Sequence, residues 1–287
     1  MNDGTHATTE HRPRLEDPIG VMDSGVGGLS VLLHLRELLP SERILYVADQ
    51  IHIPYGPRPP EQVRDFTAGI TRFLLRRGAK LIVVACNTAS AAALDYLRSA
   101  FPDVPFVGME PAVKPAAYTT RSGKVGVLAT PSTLNSNRYA ALMARFAAGI
   151  EVYEDPCVGL VQLIEAGMLD APETRALLQR VVDPMLAAGV DTFVLGCTHY
   201  PFVRPLLQEL AGEQVAIMDP APAVARQTRY VLQQRGLSAP DHQEGALRCF
   251  TSATTEQLDT LAQSLAGYMC NSEAVQWRGR ELVASAE

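Results

Sequence analysis

The stretch Leu81-Ile82-Val83-Val84-Ala85-Cys86-Asn87-Thr88 decides how this chain folds. A short apolar run that stops abruptly at polar side chains fits a strand covered on both faces, as in parallel sheets. Its polar end puts Cys86, Asn87 and Thr88 at the carboxyl tip, where open parallel sheets hold their ligands. A second stretch, Phe193-Val194-Leu195-Gly196-Cys197-Thr198-His199, has the same form. Each is followed by a helical segment and another strand ending in an acid and a proline, Glu110-Pro111 and Asp219-Pro220. The cysteine-to-acid spacing is 24 residues in one copy and 22 in the other. Upstream, Gly20-Val21-Met22-Asp23-Ser24 parallels Gly126-Val127-Leu128-Ala129-Thr130. Any two βαβ units share apolar strands, but the matched Cys, Thr and acid-Pro positions indicate two related units, each offering a thiol at a strand tip.

Working outward, apolar runs alternate with amphipathic ones, which predicts an α/β protein with mainly parallel sheets covered by helices, built as two related units. Strands are expected at 19–22, 44–48, 81–85, 106–108, 125–128, 150–153, 192–195, 215–218 and near 247–250. Helices are expected over 29–39, stopped by Pro40, and over 61–77 and 173–188, which run into Gly78 and Gly189. The segment after Pro220 is expected to return to the first unit. The domains are then 19–111 with 220–275, carrying Cys86, and 112–219, carrying Cys197. Residues 1–18 are expected as a disordered leader and 276–287 as a C-terminal tail.

Of the 287 residues, 47% are hydrophobic and 20% charged, a globular composition that excludes collagen-like and disordered classes. A formal charge of −6 argues against general nucleic-acid or anionic-membrane binding. No apolar run approaches the roughly 18 residues of a membrane span. The polar start, MNDGTHATTEHRPRLEDP, lacks the apolar core of a secretory signal, which points to the cytoplasm. Five widely spaced cysteines are expected to be free thiols.

Asp23-Ser24-Gly25-Val26-Gly27-Gly28-Leu29-Ser30 follows a strand and opens a helix, and Asp49 stands at the next strand tip. That satisfies half of a dinucleotide fingerprint, but Ser30 occupies the third glycine position and polar Asp23 and Ser24 begin the turn. A turn that only allows close packing is one alternative. The preferred reading is a turn that presents the Asp23 carboxyl and the Ser24 hydroxyl to a ligand. For Cys157, Cys249 and Cys270 a buried structural role is expected. Cys86 and Cys197 differ, because a helix start beside each should lower the thiol pKa and expose the thiolate. No CxxC or HxxxH spacing supports a metal site.

Two equivalent thiols on opposed units suit racemisation of an α-carbon, which removes a proton from one face and returns one to the other. Matched acid/base groups on both sides do this in either direction, and a thiol titrates close enough to neutral pH to serve as either partner.

These motifs, with Pro54-Tyr55-Gly56, Ala85-Cys86-Asn87-Thr88-Ala89-Ser90, Glu110-Pro111-Ala112-Val113-Lys114-Pro115 and Gly196-Cys197-Thr198-His199-Tyr200-Pro201, closely resemble the cofactor-independent aspartate/glutamate racemase family, and within it the glutamate racemases of bacterial peptidoglycan synthesis. The resemblance runs from about Ile19 to about Ala266. It implies two pseudo-symmetric, doubly wound α/β domains with the active site in the cleft between them, and interconversion of L- and D-glutamate there without a cofactor, with Cys86 and Cys197 as the acid/base pair. It places Asp23, Glu165 and His199 as assisting residues. Asp23, Ser24, Tyr55, Gly56, Asn87, Thr88, Thr198 and His199 fall at substrate-contacting positions. Glu165 rests on a broken match, Cys157-Val158 standing where the family has Cys-Pro, so Glu154 is the alternative. Pro59 is a further departure, in place of a serine. The implied partner is the small molecule glutamate, with no nucleic acid or membrane; the oligomeric state stays open, a homodimer included. An aspartate or hydantoin racemase is the rival enzyme, against which His199 argues. A non-catalytic amino-acid-binding protein of the same fold would be expected to lose a thiol.

Overall fold

The structure, a computed structural model, describes residues 13–285. Most of the expected leader and the last two residues of the expected tail therefore lie outside the described residues. Eleven strands are described: β1 (Ile19–Asp23), β2 (Ile44–Ala48), β3 (Leu81–Val84), β4 (Phe106–Val107), β5 (Lys124–Ala129), β6 (Glu151–Asp155), β7 (Thr192–Gly196), β8 (Ala216–Met218), β9 (Leu247–Thr251), β10 (Glu273–Arg278) and β11 (Glu281–Ala284). The first nine fall within two residues of the positions expected from the apolar runs.

They form two sheets. One has the order β11-β10-β9-β2-β1-β3-β4 and the other β6-β5-β7-β8. All pairings are parallel except β10 with β11. The chain is thus a mixed α/β protein with mostly parallel sheets. Strands β1, β2 and β3 are buried along their whole length, which is why they read as continuous apolar runs rather than alternating ones. Helices cover both faces of the larger sheet. Helices Leu29–Leu38, Ala221–Gln234 and Thr255–Ala266 pack one side, and Pro60–Arg76 with Asn87–Ala100 the other. The smaller sheet is sandwiched in the same way between Leu160–Glu165, Pro172–Ala187 and Arg204–Ala211 on one face and Val113–Thr119 with Asn137–Phe146 on the other.

In each sheet the chain winds outward in both directions from a central strand, β1 in one and β5 in the other. The reversal between β1 and β3, and between β5 and β7, opens a crevice beyond the carboxyl ends of those strands, the usual ligand site of open parallel sheets. Cys86 follows β3 and Cys197 follows β7.

The structure departs from the sequence reading at both ends of the chain. Residues 273–284, mostly assigned to a tail, form the β10–β11 hairpin that extends the larger sheet. Val275 and Leu282 are buried in it while their neighbours are partly or fully exposed, an alternation too short to stand out in sequence. Arg72 and Arg76 clamp the hairpin through Glu281, at 2.5 and 2.7 Å. Residues 13–18, assigned to the leader, are held down: the Arg14 amide donates to Asp17 at 2.8 Å and Lys80 Nζ to the Leu15 carbonyl at 2.6 Å.

Candidate active site

The first thiol sits at the N-cap of helix Asn87–Ala100, and the Ala89 amide faces it. The second lies less regularly: a 3-10 turn, Tyr200–Val203, intervenes before helix Arg204–Ala211, so the helix expected directly after Cys197 starts later. Both thiols are buried, at 5% and 7% relative exposure. All five cysteines are free, as expected.

Around Cys86 the company is acidic and neutral. Ser24 Oγ lies 3.9 Å from its Sγ and 3.4 Å from Asp23 Oδ1. The other Asp23 oxygen accepts the Gly28 amide at 2.6 Å, so the carboxyl closes the glycine turn it begins. A Cβ on Gly28 would stand 2.8 Å from the Asp23 Cβ, which requires glycine there. Burial raises the Asp23 pKa, against the opposing charge of His199 and a hydrogen bond with Cys86. Burial, then the Asp23 carboxyl, push the Cys86 thiol well above its ordinary value, outweighing the Ala89 amide. The lowered pKa expected from the helix start is therefore overturned at Cys86, because the sequence shows the helix and not the burial.

Around Cys197 the company is a hydrogen-bonded relay. His199 Nδ1 is 3.7 Å from the Cys197 Sγ, and Nε2 is 2.7 Å from Glu165 Oε1. Glu165 also accepts the Val26 amide at 2.8 Å and Gln50 Nε2 at 3.3 Å. Burial pushes the Glu165 carboxyl up, but its bonds to His199 and these donors bring it below the ordinary range. Burial acts to lower His199, but hydrogen bonds to Cys197 and Glu165 reverse this and hold it well above its ordinary value. Glu154, the alternative acid, is spent elsewhere: it accepts the Tyr139 hydroxyl at 2.6 Å.

The turn after β1 binds the two units together. Ser30 Oγ donates to the Thr198 carbonyl at 2.9 Å. A Cβ on Gly27 would meet His199 Nδ1 and Thr198 Oγ1 at 2.5 Å each. Thr88 Oγ1 is 2.8 Å from Thr130 Oγ1, which lies 3.0 Å from Thr133 Oγ1. Asn87 is 2% exposed, yet neither its Oδ1 nor its Nδ2 has a partner. Buried polar atoms are normally paired, so this carboxamide has donor and acceptor capacity open to a ligand. Tyr55 is buried beside the cleft, its hydroxyl donating to Asp49 at 2.7 Å, and a Cβ on Gly56 would approach Thr130 at 3.3 Å. All eleven sequence-derived residues thus stand at the facing ends of the two sheets, on strand tips, on the loops beside them or, for Asn87, Thr88 and Glu165, at helix ends. An open groove of about 370 Å³ lies to one side, along Asp95, Glu110, Arg138 and Arg145, rather than at the thiols.

Gln50 and Trp277 carry no motif in the sequence, and Asp49 stands there only where a ribose-binding acid would. Its carboxyl is instead filled by protein donors, and Trp277 Nε1 is one of them at 2.8 Å.

Comparison with known proteins agrees with this geometry. Residues 19–228 match the family described as Asp/Glu/Hydantoin racemase, and the chain belongs to it. A glutamate racemase from Pseudomonas paraeruginosa is 54% identical over 250 residues, covering 87% of this chain and 94% of that relative. Among solved structures, glutamate racemase isoform RacE1 from Bacillus anthracis superposes with a TM-score of 0.83 at 33% identity, covering 92% of this chain and 98% of that one. The Escherichia coli glutamate racemase, solved with L-glutamate and the activator UDP-MurNAc-ala, gives 0.80 at 35% identity, covering 93% and 100%.

Proposed function

We propose that this protein is a cofactor-independent glutamate racemase that interconverts L- and D-glutamate with two thiols, supplying D-glutamate for peptidoglycan synthesis in the cytoplasm. The observation that carries the reading is the facing placement of Cys86 and Cys197 at the switch points of two like sheets, each with its own acid/base company. The two units, 19–111 with the returning segment from 220 and 112–219, form the walls of the cleft, and the hairpin belongs with the first.

In this mechanism substrate lies between the thiols. By the family resemblance, Cys197 takes the α-proton of L-glutamate while Cys86 delivers a proton to the opposite face; for D-glutamate the roles reverse. His199, whose pKa is raised by its hydrogen bonds to Cys197 and Glu165, places a positive charge beside Cys197 and the substrate. Asp23 stands beside Cys86, where a carboxyl of raised pKa exchanges a proton with a thiol more readily than an ordinary aspartate would. Asn87, Thr88 and Thr198 supply neutral donors for the two substrate carboxylates, and the helix start at Asn87 adds backbone amides.

The lysines support a reaction without a Schiff base. Lys80 Nζ pairs with buried Glu42 at 2.6 Å just before β3, Lys124 opens β5, and Lys114 lies over the Phe146 ring. The first two stand at the strand ends opposite the thiols. Circular dichroism of L- and D-glutamate, with aspartate as control, tests the assignment: each glutamate enantiomer should decay to the racemate and aspartate should not. Turnover of aspartate in preference to glutamate would refute it.

A further inference from the structure

We propose that Asp49 is a positioning residue of this site, and that Trp277 from the C-terminal hairpin completes its hydrogen-bond shell so that the Tyr55–Gly56 loop is held ready for substrate. The inference rests on the racemase reading, because it takes that loop to be a substrate wall.

Asp49 follows directly on β2 and is fully buried. Its carboxyl accepts four hydrogen bonds. Oδ2 takes the Tyr55 hydroxyl at 2.7 Å and His52 Nδ1 at 2.9 Å; Oδ1 takes Ser252 Oγ at 2.9 Å and Trp277 Nε1 at 2.8 Å. Those donors come from three parts of the chain: the loop itself, the end of β9, and β10. A carboxyl with four donors in a buried place is fixed in direction, and it fixes each donor in turn. The backbone adds a link to the cleft, the Asp49 amide donating to the Asp23 carbonyl at 3.0 Å.

The next residue extends the connection. Gln50 Oε1 accepts Thr251 Oγ1 at 2.8 Å, and its Nε2 reaches Glu165 at 3.3 Å, so one short segment touches the Tyr55 wall and the relay behind Cys197. The indole is itself placed by shape. It lies against helix Pro60–Arg76 at Gly69, where an added Cβ would come within 2.5 Å of the ring, and it meets the His52 ring at 5.4 Å and Phe66 at 5.7 Å. Packing alone would need only an apolar ring. The indole nitrogen, donating to the one carboxyl that also holds Tyr55, points to a role at the site.

The competing account is that Asp49 merely ties β2, β9 and β10 together. The two accounts differ in what they move. A structural tie, once weakened, lowers melting temperature and the amount of active enzyme, with KM unchanged. A positioning residue raises KM while the folded protein keeps most of its kcat.

The experiment uses full-length protein with Asp49→Asn, Tyr55→Phe, the double variant, and Trp277→Phe, which keeps the ring and loses the donor. Variants are compared by kinetics well below their melting temperatures. Asp49→Asn should raise KM for glutamate about tenfold and Trp277→Phe about threefold, with kcat within about twofold. The double variant should be little worse than Tyr55→Phe alone, because both act through one contact. Trp277 is the only tryptophan in the chain, so its emission reports on this network directly. Glutamate should change that emission with a midpoint near KM, and Tyr55→Phe should suppress the change. An active parent with Asp49→Asn and Trp277→Phe both at parental KM would overturn the inference and leave the racemase reading intact. A parent that does not racemise glutamate would overturn both.

Discussion

Cys86 and Cys197 occupy matching places in two like sheets and keep different company. Cys86 caps a helix beside Asp23, a buried acid of raised pKa. Cys197 precedes a 3-10 turn and lies beside an imidazole that Glu165 keeps charged. Like folds therefore supply the geometry of attack from two faces, while the residues that stand beside each thiol differ. A racemase needs symmetric geometry because its substrates are mirror images. The proposed mechanism does not need symmetric electrostatics, because in it each thiol serves as acid in one direction and base in the other.

Removing either thiol should erase the comparison altogether. Cys86→Ala and Cys197→Ala each delete the base of one direction and the acid of the other, so racemisation measured by circular dichroism should fall by about 10²–10⁴-fold or more in both. Near-parental activity in either would break the two-base account.

Next in size is Glu165→Gln, which sharpens the comparison by stripping only the Cys197 side. Loss of a charged hydrogen bond at His199 should cost roughly 1.5–3 kcal/mol in kcat/KM, about tenfold to a hundredfold. Stability carries a signature too. His199 is raised from 6.5, so its contribution is full below that value and is lost as pH rises through the folded pKa. Glu165 is lowered from 4.5, so its contribution is present above that value and is lost as pH falls through the folded pKa. The melting difference between parent and Glu165→Gln should therefore be widest between about pH 4.5 and 6.5 and narrow on either side. A difference independent of pH would contradict the ion pair.

Thr88→Val should act more weakly and on binding, raising KM about 5–10-fold if a substrate carboxylate loses one donor while Thr130 and Thr133 remain. Asp191→Asn should leave activity unchanged. Asp191 accepts Thr120 Oγ1 at 2.6 Å and the Arg121 and Ser122 amides at 2.8 Å each, remote from the thiols, and its carboxyl is brought down to about 2 by the Thr120 and amide hydrogen bonds, which outweigh its partial burial. Its contribution is present above pH 3.8 and lost as pH falls through about 2, so the variant should melt lower at neutral pH and match the parent in strong acid.

Much of this was legible in sequence because buried parallel strands announce themselves as apolar runs and their tips as sudden polarity. Cys86, Asp23, Cys197 and His199 all stand at such breaks. Glu165 was harder, since the Cys157-Val158 departure blurs the register, and it takes the structure, with Glu165 2.7 Å from His199 and Glu154 bound to Tyr139, to separate the two acids. The link between Asp49 and Trp277 is illegible for a different reason: 228 residues separate them, and no local pattern marks a hydrogen bond across a sheet edge. The β10–β11 hairpin was missed because its buried positions are few. The direction of the Cys86 shift is not legible in sequence because burial and the charge of the neighbouring Asp23 are properties of packing, not of the helix start.

The division of labour between the thiols is tested most directly by primary isotope effects in serine variants, which keep a hydroxyl at the same place but a far weaker acid. Cys197→Ser should show its larger effect with α-deuterated L-glutamate, because that abstraction has become the slow step, and Cys86→Ser should show its larger effect with α-deuterated D-glutamate. The larger effect falling on the same enantiomer in both variants would contradict the account.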